Sequence, residues 1–253
     1  MEFLKTVETY FLWLMIYSII GWIYESTLCS ITNKKLINRG FLNGPYCPIY
    51  GSGAILVILI LGRIKNPVLL FFLGALVTCS LEYLTSYVME KLFHARWWDY
   101  SQRKFNINGR VCLIGAVVFG AFSVALNLGL HPLVKGLTDK LSPLALHITC
   151  GVLFVIFATD CIVTIKGFAG FREKLEELSE FIDRQKEAAV DRLHSSEAYI
   201  SWQERKNAIK KKLNPQQRRM LYAFPSLKMR KPNYNELLSK LRNFMKKNTK
   251  DGK

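Results

Sequence analysis

The chain has 253 residues, half of them hydrophobic, with 35 Lys+Arg against 19 Asp+Glu and a formal net charge of +16. The mean hydropathy is positive, at +0.13, and the charge is segregated: residues 1–166 hold 14 basic and 8 acidic side chains, residues 167–253 hold 21 and 11. This pattern excludes an ordinary soluble enzyme and predicts an all-α, polytopic membrane helix bundle over 1–166 with a helical, basic cytoplasmic tail over 167–253.

A spanning helix needs about 20 mainly apolar residues. In chain order, the first candidate covers about Tyr10–Ile31. The length of this run and the lack of a small-x-small site after it predict that it is retained rather than cleaved as a signal peptide. The second covers about Pro48–Leu61, the third Pro67–Leu92, the fourth Val111–Leu130 and the fifth Pro143–Ile165. The second is short for a full crossing, so a tilted or re-entrant segment is open. Five crossings put the termini on opposite sides. With the tail inside, the inner loops carry Lys34, Lys35, Arg39, Lys91, Arg96, Arg103, Lys104 and Arg110, and the outer ones Lys5, Arg63, Lys65, Lys135 and Lys140. The positive-inside rule then predicts a multi-pass protein of the cell membrane, N-terminus outside and C-terminus cytoplasmic.

Within the first span, Tyr17, Gly21, Tyr24, Glu25 and Leu28 share helical spacing. Glu25 is open to two readings: a carboxylate reaching the interface or pairing with a loop arginine, or one facing the bundle interior. The loop that follows, Asn43-Gly44-Pro45-Tyr46-Cys47-Pro48 onward to Gly53, is rich in glycine and proline. Such backbone survives at membrane depth only if buried in protein or lining a cavity. It is either an ordered plug at a site, presenting Asn43 and Tyr46, or an ordinary turn.

The third span carries Glu82, Ser86 and Glu90 at i, i+4 and i+8 on one face, with Tyr83 and Tyr87 beside it. A carboxylate within a span costs roughly 2.5–3.5 kcal/mol on insertion scales, so Glu82 calls for a partner or a function. Glu90, near the end, also reads as an interfacial residue. Beyond it, His94, Arg96, Trp97, Trp98, Asp99, Tyr100, Asn108 and Arg110 crowd one loop. An interfacial aromatic belt with a surface ion pair explains them, and so does a ligand-contacting loop. In the fourth span Gly115, Gly120 and Gly129 suit close helix packing. In the fifth, Asp160 is an inner-end anchor or a third buried acid. The six cysteines form no C-x-x-C pair and read as small buried residues. Four scattered histidines without H-E-x-x-H predict no metal, and no cofactor is expected.

The tail predicts an amphipathic helix over about Phe171–Leu193. The basic clusters Arg205-Lys206, Lys210-Lys211-Lys212 and Arg218-Arg219 follow, then a last helix from about Asn233. Each basic residue near an anionic leaflet is worth about 1 kcal/mol, so anionic lipids are the expected partner. No nucleic-acid-binding module surrounds these clusters, so nucleic acid is not.

Gly21-Trp22-Ile23-Tyr24-Glu25-Ser26, the stretch Gly40 to Gly51, Leu81-Glu82-Tyr83, Trp97-Trp98-Asp99-Tyr100-Ser101 and Asn108-Gly109-Arg110 together resemble a bacterial family labelled type IV ABC-transporter permease (CmpB-like). The resemblance covers about Tyr10–Ile165. It implies a transport function and brings no residue-level mechanism. The residues themselves nominate Glu25, Glu82, Tyr83, Asn43, Tyr46, Trp98, Asp99 and Arg110 as substrate contacts. No G-x-x-x-x-G-K-[ST] occurs in the chain, so an ATP-driven permease needs a separate ATPase subunit. Two further readings stay open: a membrane-anchored scaffold or regulator acting through its tail, and an intramembrane enzyme acting on a lipid or prenyl substrate. Homo-oligomerisation is open as well.

Overall fold

The computed structural model describes residues 2–34, 36–168, 170, 171, 174, 213–224, 226–229, 235, 238 and 239. Apart from isolated positions, the tail helices expected over 171–193 and from 233, and the basic clusters at 205–212, lie outside these residues. Among the described residues, four helices are long and apolar enough to cross a membrane, and a fifth apolar helix is shorter.

Helix α1 (Glu2–Asn33) is 32 residues long and begins well before the apolar run. Its first turns hold Glu8, whose carboxylate meets His147 Nδ1 at 2.5 Å and whose carbonyl accepts from Cys150 Sγ at 3.2 Å. The chain then folds back along α1. The Cys47 N–H donates to the Ser18 carbonyl at 2.8 Å, a point roughly 22 Å below the end of α1 at 1.5 Å per residue. There α2 (Pro48–Leu61) starts, with proline in its first turn. Its 14 residues span roughly 21 Å, short of the ~30 Å hydrocarbon layer. The loop 36–47 runs back along α1, with the Ile37 and Arg39 N–H groups on Ser30 and Ser26 and Trp22 Nε1 on Asn38.

Helix α3 (Pro67–Phe93) is capped by the Asn66 side chain, which accepts from the Val68 and Leu69 N–H groups, and ends at His94 in the left-handed conformation. Two short ladders follow. Strand β1 (Ala95–Arg96) pairs with β4 (Lys228–Met229), and β2 (Asn106–Ile107) with β3 (Val111–Cys112), both antiparallel. Helix α4 (Leu113–Ala125) runs through a π segment, Leu126–Leu130, into α5 (His131–Thr138). The continuous stretch reaches Thr138, eight residues past the expected end. Pro132 sits in the first turn of α5, where its missing N–H is tolerated, and the widened π turn before it absorbs the misfit. Helix α6 (Pro143–Phe168) lies beside α1 in the same direction, with Leu12 against Leu146 and Cys150, and Phe11 against Phe154 and Phe157. Phe72, Leu76, Ile148 and Phe154 are among the large apolar residues left on outward faces, as a lipid-facing surface requires.

In the tail, α7 (Pro215–Ala223) with β4 caps the end of the bundle. Asn214 begins α7 with a full capping box and ties it to α6 through Asn214 Nδ2 to the Gly167 carbonyl, 2.8 Å. Arg219 donates to the Gly40 and Phe41 carbonyls at 2.7 and 2.9 Å. Beneath lies an aromatic cluster built on Trp97, Phe168, Phe171 and Phe224 with Met220, Leu221 and Leu227. Trp97 is 1% exposed, so this tryptophan belongs to a packed core and not to an interfacial belt.

Candidate functional site

Two cavities lie between the helices. The first, about 310 Å³, is walled by α1, α2, α3 and α4 through Tyr17, Tyr24, Tyr50, Thr78, Glu82 and Phe122. The second, about 370 Å³, is lined by Glu25, Arg39, Tyr50, Glu82, Trp98 and Phe224 among others. Ile49, Tyr50, Glu82 and Phe119 line both, so the two spaces meet at a phenol and a carboxylate.

Glu82 is 6% exposed. Its Oε1 accepts from the Tyr100 hydroxyl at 3.2 Å, and its Oε2 has no partner among the described residues. Burial and the nearby Glu82 carboxylate push the Tyr100 phenol up, so Tyr100 stays a donor. Glu25 accepts from the Tyr50 hydroxyl at 2.6 Å and pairs with Arg39 Nε at 3.6 Å. Glu25 therefore meets a loop arginine and stands, partly exposed, at the wall of the second cavity. Arg39 also donates to the Ala223 carbonyl and lies over the Phe224 ring at 4.6 Å. Tyr17, in the wall of the first cavity, meets His131 Nδ1 through its hydroxyl at 2.9 Å, and nearby Trp13 Nε1 donates to Thr138 at 2.9 Å.

The Glu82–Ser86–Glu90 face exists as expected and is divided in use. Arg110 donates to Ser86 at 3.0 Å and pairs with Glu90 at 2.8 Å, while Arg96 pairs with the same Glu90 oxygen at 3.1 Å. The Arg110 guanidinium lies 5.6 and 5.5 Å from the Tyr83 and Tyr87 ring centres, and Asn108 donates to the Tyr83 hydroxyl at 2.9 Å. These contacts pin the 95–110 loop to α3. Asp99 takes Ser101 Oγ at 2.5 Å, the Ser101 N–H at 3.0 Å and the Lys228 ammonium, joining the loop to β4. Gly109, at φ +66°, leaves no room for a Cβ beside Asp99 and Ser101. Trp98 donates to the Arg110 carbonyl at 3.0 Å and is a cavity wall.

The second predicted group gathers on Asp160. Its carboxylate accepts from the Asn43 N–H and Nδ2, the Gly44 N–H, the Tyr46 hydroxyl and Thr164 Oγ1, all within 2.7–3.1 Å. Asp160 is an anchor, and Asn43 and Tyr46 are what it anchors. Of the eight nominated residues, Glu25, Glu82 and Trp98 line the cavities. Tyr83, Asp99 and Arg110 fix one loop, and Asn43 and Tyr46 the other. Tyr50, Tyr100, Arg39 and Phe224 complete the walls and were not nominated. Tyr50 and Tyr100 stand in the quoted motifs but carry no spacing that marks them, and Phe224 comes from the tail.

A family model described as "Putative ABC-transporter type IV", of CmpB type, matches residues 12–165. The chain belongs to this family. The match runs from α1 to near the C-terminal end of α6 and takes in every cavity-lining residue named above except Phe224. With its apolar helices, this makes the CmpB-type chain a transport-related membrane protein. No curated protein and no solved structure matches it.

Proposed function

We propose that this chain is the membrane-embedded, permease-like subunit of a transporter whose ATPase is a separate protein, and that the joined cavities are its substrate site. The observation that carries the reading is the meeting of two cavities of about 310 and 370 Å³ at Glu82 and Tyr50 inside a bundle with lipid-facing outer surfaces. Pockets of this size, mostly apolar with a few convergent polar groups, are where ligands bind. Residues 1–166 act as the membrane unit and 167–253 as its cytoplasmic cover, with the N-terminus outside. The basic tail faces anionic lipid, and the ATPase docks on the inner face built from α7, β4 and the 95–110 loop.

The test is purification of the full chain from native membranes in mild detergent. A stoichiometric ATPase is expected, with turnover that depends on this chain. Isolation of a stable chain without any ATPase, repeated after cross-linking in the membrane, overturns the ATP-driven reading. The regulator reading gains support from one contact, Arg219 on the Gly40 and Phe41 carbonyls, which couples the tail to the 36–47 loop. On that reading, Arg219→Ala alters partner capture and leaves flux unchanged.

A further inference from the structure

We propose that the joined cavities bind a lipophilic cation, an amine or onium centre on an apolar body, with the Glu82 carboxylate as its counter-charge. The inference rests on the reading of these cavities as the substrate site and names the class of substrate.

The acids of the bundle differ in what balances them. Glu25 has Arg39 and the Tyr50 hydroxyl, and Glu90 has two guanidiniums. Asp160 accepts five hydrogen bonds. Glu82 receives one neutral donor, and its second oxygen is buried without a partner among the described residues. A buried carboxylate lacking both counter-charge and full hydrogen bonding is unfavourable, and the cavity is where a missing cation would sit. Glu82 lines both spaces, so its carboxylate is within reach of a ligand in either.

The walls decide which cation. Tyr24, Tyr50, Phe119 and Phe122 surround the first cavity, and Trp98 and Phe224 stand in the second. Aromatic faces attract an organic cation through their quadrupoles and solvate its apolar body. A bare metal ion is poorly served: no group of three His, Cys, Asp or Glu capable of holding one occurs among the described residues. An anion is served worse. Arg39, the basic side chain among these wall residues, is already engaged by Glu25, the Ala223 carbonyl and the Phe224 ring.

The test uses the full-length protein in nanodiscs of zwitterionic lipid, with tetraphenylphosphonium as the cation and triphenylphosphine oxide as the neutral probe, followed by equilibrium dialysis. Saturable cation binding is expected, weakened by at least about tenfold in Glu82→Gln, retained in Glu82→Asp, and stronger than binding of the neutral probe. Equal cation affinity in a Glu82→Gln variant that melts like the parent overturns the inference. Should that variant not fold, the unmodified protein decides, and a neutral probe that binds as tightly as the cation overturns it. Loss of the cation preference beside an intact, co-purifying ATPase removes this inference and leaves the transport reading standing. Cation binding of the expected kind in a chain with no ATPase and no flux does the reverse.

Discussion

Glu82 and Asp160 both sit in apolar helices near polar loops, and they end in opposite situations. Four donors converge on Asp160 because the 36–47 loop turns two N–H groups, an amide and a phenol toward α6, and Thr164 on the same helix adds a fifth. Glu82 lines both cavities and receives a single hydrogen bond, from Tyr100. Asp99 is a third case, outside the spans. Burial pushes its carboxyl up, but the hydrogen bonds from Lys228 and Ser101 outweigh this and hold it down at about 2. The unfolded value is near 3.9. The contribution to stability is therefore complete above about pH 4 and lost as pH falls through about 2. Thermal melts of the purified chain should show Asp99→Asn below the parent at neutral pH, the two converging toward pH 2. Parallel curves would remove Asp99 as the source.

At the scale of elements, α2 is defined by what it packs against. A Cβ on Gly51 would collide with the Leu14 carbonyl and Ser18, and one on Gly21 with the Tyr50 ring. Close approach here sets how far α2 slides along α1, and so brings Tyr50 within 2.6 Å of Glu25. Overfilling such a contact costs typically about 1–3 kcal/mol. Gly51→Ala should destabilise the detergent-solubilised protein by that order. Gly151→Ala, where a Cβ meets nothing within 4 Å, should be neutral or stabilising by up to about 1 kcal/mol through helix propensity. Equal melting temperatures for the two variants would refute the packing account. The π segment belongs to the same scale: it keeps Asn127 turned to the Leu61 carbonyl at 2.8 Å and lets α4 and α5 continue as one span through Pro132.

At the scale of the whole molecule, the described tail is part of the bundle's closure, because Phe224 is a wall of the second cavity and β4 completes a ladder with β1. The proposed orientation predicts a labelling pattern. In an otherwise cysteine-free chain, Lys65→Cys should react with an impermeant maleimide on intact cells, and Lys104→Cys only after permeabilisation. The opposite pattern would invert the molecule and move the tail, the ATPase face and the second cavity to the outside.

Hydropathy placed the spans, since a helix must bury its backbone bonds in lipid wherever about 20 apolar residues run together. The spacing of Glu82, Ser86 and Glu90 disclosed their common face, because a helix repeats every 3.6 residues. These are local properties, and the sequence by itself determined them. Which acid keeps a buried oxygen without a partner among the described residues was decided only in the tertiary structure. Arg110 reaches Ser86 and Glu90 across 24 and 20 positions of chain, and Asn43 reaches Asp160 across 117. Pairing at such separations depends on where loops land, and no local period records it.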